Sequence, residues 1–178
     1  MIKQCSKAID QLNLFIGHSV AWLTLSMVLV TFLIVILRYL FNIGSIAIQE
    51  SVLYMHAMVF MLGAAFTLKQ NGHVRVDIFY QKMPKRFQAL VNCIGILLLL
   101  FPVCGFIAWS SWDYISEAWR LKESSREAGG LPWIYLLKTT IIIMTGLLFL
   151  QGISDLIKNA FTLFYRTDFY QEPEQPEI

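Results

Sequence analysis

Long apolar stretches, separated by short segments that carry the charges, dominate the hydropathy pattern of this chain. A membrane-spanning helix needs about 20 mostly apolar residues. Four stretches reach that length, the last of them only if Lys138 is tolerated near its start. The predicted spans are residues 17–40, 48–68, 87–112 and 132–157. The pattern therefore predicts an all-α integral membrane protein with four transmembrane helices.

The segment before the first span has a different pattern. Apolar residues recur there every three or four positions, with Lys3, Lys7 and Asp10 between them. The apolar positions are Ile2, Cys5, Ile9, Leu12, and Phe15 or Ile16. This spacing is typical of a helix that lies in the membrane interface, so we predict an N-terminal amphipathic interfacial helix. Residues 1–166 are taken as a single membrane domain, and the acidic, proline-containing residues 167–178 are predicted to be a disordered tail.

The third apolar stretch is longer than the hydrocarbon core of a membrane requires, which is about 30 Å. Pro102 in its middle predicts a kink. Trp109, Trp112 and Trp119 follow at helical spacing, so the helix is expected to continue past the apolar stretch into the interface.

Composition excludes several classes of protein. Apolar residues make up 57% of the chain and charged residues only 15%, which is more apolar surface than a soluble domain of this length can bury. The net charge of +2 is small, and no concentrated basic stripe is present that would bind nucleic acid. Cys5, Cys93 and Cys104 have no CxxC spacing, so neither a zinc site nor a disulfide framework is expected.

The distribution of basic residues predicts the orientation in the membrane. Five of the 14 Lys and Arg residues cluster between the second and third spans. They are Lys69, Arg75, Lys82, Lys85 and Arg86. Basic loops favour the cytoplasmic side, so both the N-terminus and the C-terminus are predicted to be cytoplasmic.

Few ionisable residues lie within the predicted spans. No Asp or Glu occupies the middle of a span, so a transport pathway through this chain alone is not expected. A small multidrug exporter would need a glutamate within the first span, and a four-helix thiol oxidoreductase would need cysteine pairs. The sequence has neither feature, so neither function is expected. Arg38 and Glu50 flank the first extracytoplasmic turn. They are either interfacial charges that reach water, or members of a fixed ion pair within the chain or with a partner helix.

The three histidines allow a second interpretation. His56 lies inside the second span, and His18 and His73 lie near membrane boundaries. Histidines on facing helices can ligate haem, although a hydrogen-bonded histidine between helices is the more common case. The alternative function is therefore a haem-carrying or structural membrane-anchor subunit of a respiratory complex.

Two further groups of residues are candidates for structural contacts. His73, Arg75 and Asp77 alternate with valines after a turn signal, which indicates either a solvated loop or a structured cytoplasmic segment. Gly63 begins a patch of small residues late in the second span. Small residues let helices approach closely in lipid, so a packing role is expected there.

Taken in order, these elements resemble the DctQ family, the small membrane subunits of tripartite ATP-independent periplasmic (TRAP) transporters. The residues that carry the resemblance are Arg38, Tyr39, Phe41, Asn42, Glu50, Gly63, Ala64, Ala65, His73, Val74, Arg75, Val76 and Asp77. The four-span plan and the Leu131, Pro132, Trp133 entry to the last span also fit, and the resemblance extends over residues 10–160. One departure is Gln49, because members of the family often carry two adjacent acids where this chain has only Glu50.

The resemblance implies a non-enzymatic transport subunit of the bacterial inner membrane. In such systems a periplasmic binding protein captures an organic anion, and a large membrane subunit holding the substrate and sodium sites carries it inward by an elevator movement. The small subunit is expected to form a heterodimer with the large one and to extend its static scaffold. Substrates of the family include C4-dicarboxylates and sialic acid, and the overall character of this chain leans toward the sialic acid branch.

The resemblance also sets the expected sites and partners. Implied partners are the large TRAP membrane subunit, the periplasmic substrate-binding protein and membrane lipid. The chain itself is expected to hold no cofactor, no metal and no catalytic or substrate-binding residue, since sodium belongs to the partner subunit. The candidate partner-interface or structural residues are Arg38, Glu50, Gly63, His73, Arg75 and Asp77.

Overall fold

A computed structural model of the chain describes residues 2–72, 80 and 82–165. Within them, four helices are long and apolar enough to cross a membrane. They cover Lys3–Leu40, Ile46–Lys69, Lys85–Leu121 and Ile134–Phe164. The all-α class and the four helices of spanning length are therefore confirmed. The cytoplasmic position of the termini stays a prediction, and the tail predicted for residues 167–178 lies outside the described residues.

Five α-helices and one π-helical turn make up these spans. In chain order they are α1 (Ile2–Leu40), α2 (Ile46–Lys69), α3 (Lys85–Gly95), the π turn (Ile96–Leu100), α4 (Phe101–Leu121) and α5 (Ile134–Tyr165). The α3 helix, the π turn and α4 follow one another without a break and together form the third span. The α5 helix begins at Ile134, two residues after the predicted start of the fourth span at residue 132.

The α1 helix is continuous over 39 residues, so its first half runs directly into the first span. Two polar side chains of that half face the protein, since Ser6 and Asn13 are 0% and 1% exposed. The apolar side faces outward, and Phe15 is 72% exposed. Ser6 and Asn13 are thus buried against α5, whereas Lys3 and Lys7 of the same segment lie exposed. The membrane-interface position of this segment remains a prediction.

The third span changes its helix type immediately before Pro102. In the π turn that precedes it, the N–H of Phe101 donates to the carbonyl of Ile96. Because proline has no N–H and clashes with the preceding turn of an α-helix, a widened turn accommodates it. The structure thus has a change of helix type next to Pro102, and the kink itself stays a prediction. The helix then continues to Leu121, beyond the predicted boundary at residue 112, and ends where Lys122 adopts a left-handed conformation.

The α5 helix is the centre of the fold. It contacts α1, α2 and all parts of the third span, whereas α1 packs mainly on α2 and α5. One close approach occurs at Gly152, where an added Cβ would lie 2.7 Å from Leu100 Cδ2 and 2.8 Å from Phe101 Cε1. Glycine therefore permits α5 to lie against the π turn. Many large apolar side chains on the other helices remain exposed, as lipid-facing surfaces require.

Candidate functional site

Polar side chains gather near one end of α1 and α5 in what we call the Asp10–Lys158 network. Its members are Ser6, Asp10, Asn13, Gln151, Ser154, Asp155 and Lys158. Lys158 Nζ lies 2.6 Å from Asp10 Oδ2 and 3.4 Å from Asp155 Oδ1. The Lys158 side chain is only 7% exposed. Charges so shielded from water require close pairing and further hydrogen bonds.

Hydrogen bonds from uncharged side chains complete this network. Ser154 Oγ donates to Asp10 Oδ1 over 2.8 Å. Gln151 Nε2 donates to Asp10 Oδ1 and to Asp155 Oδ1 over 3.2 Å and 3.1 Å. Asn13 Nδ2 in turn donates to Gln151 Oε1 over 2.7 Å. Each carboxylate therefore has at least two donors, and the network joins the first helix of the chain to the last.

The third span is tied to the same end of α5. Asn92 Nδ2 on α3 donates to Asn159 Oδ1 over 3.1 Å, and the Tyr80 hydroxyl donates to Asn92 Oδ1 over 3.1 Å. Asn159 lies one residue after Lys158 on α5. Three of the four spans are thus connected by polar side chains at this end of the molecule.

At the opposite end, Glu50 binds the loop between α4 and α5 in what we call the Glu50 clamp, formed with Ser125, Gly130 and Leu131. The Leu131 N–H donates to Glu50 Oε2 over 2.6 Å, and the Ser125 hydroxyl donates to Glu50 Oε1. An added Cβ at Gly130 would lie 2.8 Å from Glu50 Oε1 and closer still to Ser125. A side chain at this position would therefore force Ser125, the Glu50 carboxylate or the loop to move.

Further contacts around the clamp join the end of α4 to the start of α5. Lys138 Nζ is hydrogen-bonded to Glu123 and lies 3.7 Å from the centroid of the Tyr114 ring. Trp119 Nε1 donates to Thr139 Oγ1 over 2.8 Å. Lys138, near the start of the fourth span, is therefore paired inside the protein.

The predicted site residues lie in different surroundings in the structure. Glu50 lies in the clamp, but Arg38 lies exposed in the last turn of α1. No hydrogen bond or ion pair joins Arg38 to Glu50 within the described part of the chain. An added Cβ at Gly63 would meet nothing within 4 Å, so open space borders this residue. The remaining candidates, His73, Arg75 and Asp77, lie outside the described residues.

The two described histidines occupy separate surroundings. His18 Nδ1 lies 2.8 Å from the carbonyl oxygen of Leu14, and its ring packs edge-on against Phe66 at 6.0 Å between centroids. His56 lies exposed on α2. Across residues 2–72, 80 and 82–165, no three His, Cys, Asp or Glu residues are grouped so that they could hold a metal ion.

Sequence reasoning missed most of the residues that hold the helices together. Gln151, Ser154 and Lys158 recur at three- and four-residue spacing, as Ser6, Asp10 and Asn13 do. That repetition was the available signal, because polar residues sharing one face of an apolar helix seek partners inside the protein. Ser125 and Gly130 carry no comparable signal, because their roles depend on the conformation of a loop.

Comparisons with known proteins agree on one family. The sequence profile of the family described as "Tripartite ATP-independent periplasmic transporters, DctQ component" matches residues 27–162. The "C4-dicarboxylate TRAP transporter small permease protein DctQ" of Vibrio cholerae is 34% identical over 98 residues, which are 53% of this chain and 42% of that protein. The "Putative TRAP transporter small permease protein" of Haemophilus influenzae is 34% identical over 86 residues, 48% and 53% of the two chains.

The matches to these two relatives cover only part of each protein. The chain spans about half the length of the curated relatives that it matches. No solved structure gives a significant match.

Proposed function

The chain belongs to the DctQ component family of TRAP transporters, and we propose that it is the small membrane subunit of such a transporter, acting as a static scaffold for a large membrane subunit. The resemblance seen in the sequence is confirmed at the level of the family. That family is described as a transporter component and not as an enzyme.

One observation carries the scaffold role: apolar helices are fastened by polar contacts at both ends. The Asp10–Lys158 network and the Asn92–Asn159 bond join three spans at one end, and the Glu50 clamp joins α2 to the loop before α5 at the other. The third span and α5 are joined at both ends, because Asn92 bonds Asn159 at one end and Trp119 bonds Thr139 at the other. A helix pair fastened at one end only can pivot, whereas fastening at both ends opposes relative movement. An elevator transporter needs such a stationary part beside its moving one.

The remaining parts of the proposal concern transport itself. We propose that the complex lies in the bacterial inner membrane and imports an organic anion together with sodium, after delivery by a periplasmic binding protein. Sodium and substrate would bind the large subunit. Sialic acid and C4-dicarboxylates are the two candidate substrates, and the name of the Vibrio cholerae relative supports testing a C4-dicarboxylate first.

Arg38 and Gly63 are proposed to contact the large subunit. Arg38 has its guanidinium exposed at the end of α1, and Gly63 borders open space on α2. A carboxylate or carbonyl of the partner would satisfy Arg38, and a partner helix could approach closely at Gly63. The same role is proposed for His73, Arg75 and Asp77 on sequence grounds.

Co-expression with the genes of a large TRAP subunit and a binding protein tests this function. Uptake of labelled sialic acid and of labelled succinate would be measured with and without sodium, in cells with and without this chain. We expect sodium-dependent uptake of one of the two anions, and we expect that uptake to be lost in cells that lack this chain. Uptake that is unchanged without this chain, or a chain that never co-purifies with the large subunit, contradicts the proposal.

A further inference from the structure

The outward face of α4 carries a groove of about 510 Å³ near the end of the third span. It is lined by Gly105, Ala108, Trp109, Trp112 and Asp113. Both indoles stand free of the protein, with Trp109 85% and Trp112 64% exposed. An added Cβ at Gly105 would meet nothing within 4 Å, so the small residues leave space below the tryptophans.

The chemistry of the groove changes along its length. Its Gly105 end belongs to the apolar stretch that faces lipid, and its other end is the carboxylate of Asp113, where that stretch stops. Within the part of the chain that the structure describes, the Asp113 side chain has no hydrogen bond or ion pair, although its carbonyl oxygen accepts from Ser116. An unpaired carboxylate at a membrane boundary favours a cationic neighbour.

Indole faces beside a carboxylate form the combination that binds organic ammonium groups. The ring quadrupole of tryptophan attracts a cation placed over its face, and the carboxylate adds a direct charge. Tryptophans at the end of a span lie at the level of lipid headgroups. We propose that this groove binds a phospholipid with an ammonium headgroup, whose ammonium contacts Asp113, Trp109 and Trp112 while an acyl chain lies along Gly105.

Charge complementarity favours a lipid over a protein helix as the occupant. A partner helix would have to bring its own basic residue to the membrane boundary in order to neutralise Asp113, whereas an ammonium headgroup supplies that charge at this level. The α1 helix offers a comparison, because Trp22 is 71% exposed there with no acidic residue in the neighbouring turns. If an exposed tryptophan alone were sufficient to bind the lipid, the surface around Trp22 would bind it as well as the groove does.

Native mass spectrometry of the full chain in detergent tests the site, with phosphatidylethanolamine and phosphatidylglycerol of the same acyl chains in equal amounts. We expect phosphatidylethanolamine adducts to exceed phosphatidylglycerol adducts about fivefold. Asp113→Asn and the double variant Trp109→Leu with Trp112→Leu should abolish that preference. Trp22→Leu is the matched control and should keep it.

Three results would overturn the proposal. Equal adducts of both lipids on the unaltered chain would show ordinary interfacial anchoring of the tryptophans. A preference that survives Asp113→Asn would place the ammonium elsewhere. Disulfide cross-linking of a Trp109→Cys variant to a cysteine in a helix of a co-purified membrane subunit would identify the groove as a protein interface.

Discussion

Lys158 Nζ on α5 lies 2.6 Å from Asp10 Oδ2 on α1, so a shielded ion pair links the last helix to the first. The two side chains are 7% and 18% exposed. Removal of one member leaves the other charged with little water around it, which is more costly than removal of both. The pair therefore predicts how variants at these positions behave.

Replacement of Lys158 by Met is expected to lower the stability of the purified chain by about 3 kcal/mol, because the Asp10 carboxylate loses its main partner. The measurement is the thermal unfolding midpoint in detergent. Lys158→Met combined with Asp10→Asn should recover part of the loss. Lys7→Met is the control, since Lys7 lies exposed on α1, the helix that carries Asp10. Equal midpoints for the Lys158 and Lys7 variants would show that the ion pair does not stabilise the fold.

Replacement of Glu50 by Ala is expected to release the loop between α4 and α5. The Leu131 amide, whose N–H donates to Glu50 over 2.6 Å, should then exchange with deuterium several-fold faster. Arg38→Ala should leave that exchange rate unchanged, because Arg38 makes no bond to Glu50 within the described part of the chain. Faster exchange in the Arg38 variant would point instead to an Arg38–Glu50 ion pair.

Replacement of Gly130 by Ala should also loosen the Glu50 clamp, this time through a change in the loop. The new methyl group would lie 2.8 Å from Glu50 Oε1, so the carboxylate or the loop must move. Limited proteolysis of the loop is expected to become faster. The control is Gly44→Ala, because an added Cβ there meets nothing within 4 Å. Equal cleavage of the two variants would contradict the geometry of the clamp.

Replacement of Gly152 by Ala tests the packing of α5 on the π turn. The added methyl group would lie 2.7 Å from Leu100 and 2.8 Å from Phe101, and overpacking of this kind costs about 1–3 kcal/mol. The comparison is Gly146→Ala on the same helix, where an added Cβ meets nothing within 4 Å. Thermal unfolding should separate the two variants, and a neutral Gly152 variant would mean that the helices are farther apart.

The parts of the fold that the sequence predicts are those governed by local hydropathy. The four helices of spanning length follow from apolar length alone. The π turn before Pro102 was not predicted, although the missing N–H of proline explains why it lies there. The burial of Ser6 and Asn13 could not be predicted from the sequence, because an amphipathic pattern does not reveal whether a polar side chain faces water or another helix.

The candidate site was predicted only in part for the same reason. Glu50 stands out as a charge beside an apolar span, so the sequence marks it as a candidate for a structural contact. Its partners, the Ser125 hydroxyl and the Leu131 N–H, are far away in sequence and are brought close by the path of a loop. No periodic pattern in the sequence indicates these contacts. Arg38, a nearby residue of opposite charge, is the partner that the sequence suggests for Glu50, but the two are not bonded within the described part of the chain.

Fixing α1 to α5 in the assembled transporter tests the scaffold role most directly. Ser6 Oγ and Ser154 Oγ are 2.7 Å apart, so cysteines at both positions are close enough for a disulfide once Cys5, Cys93 and Cys104 are replaced by serine. If these helices stay in place during transport, oxidation should leave sodium-dependent uptake within about twofold of that of the reduced protein, a difference below about 0.4 kcal/mol. Loss of uptake on oxidation, restored by a reductant, would show that the helices must move and would contradict the account.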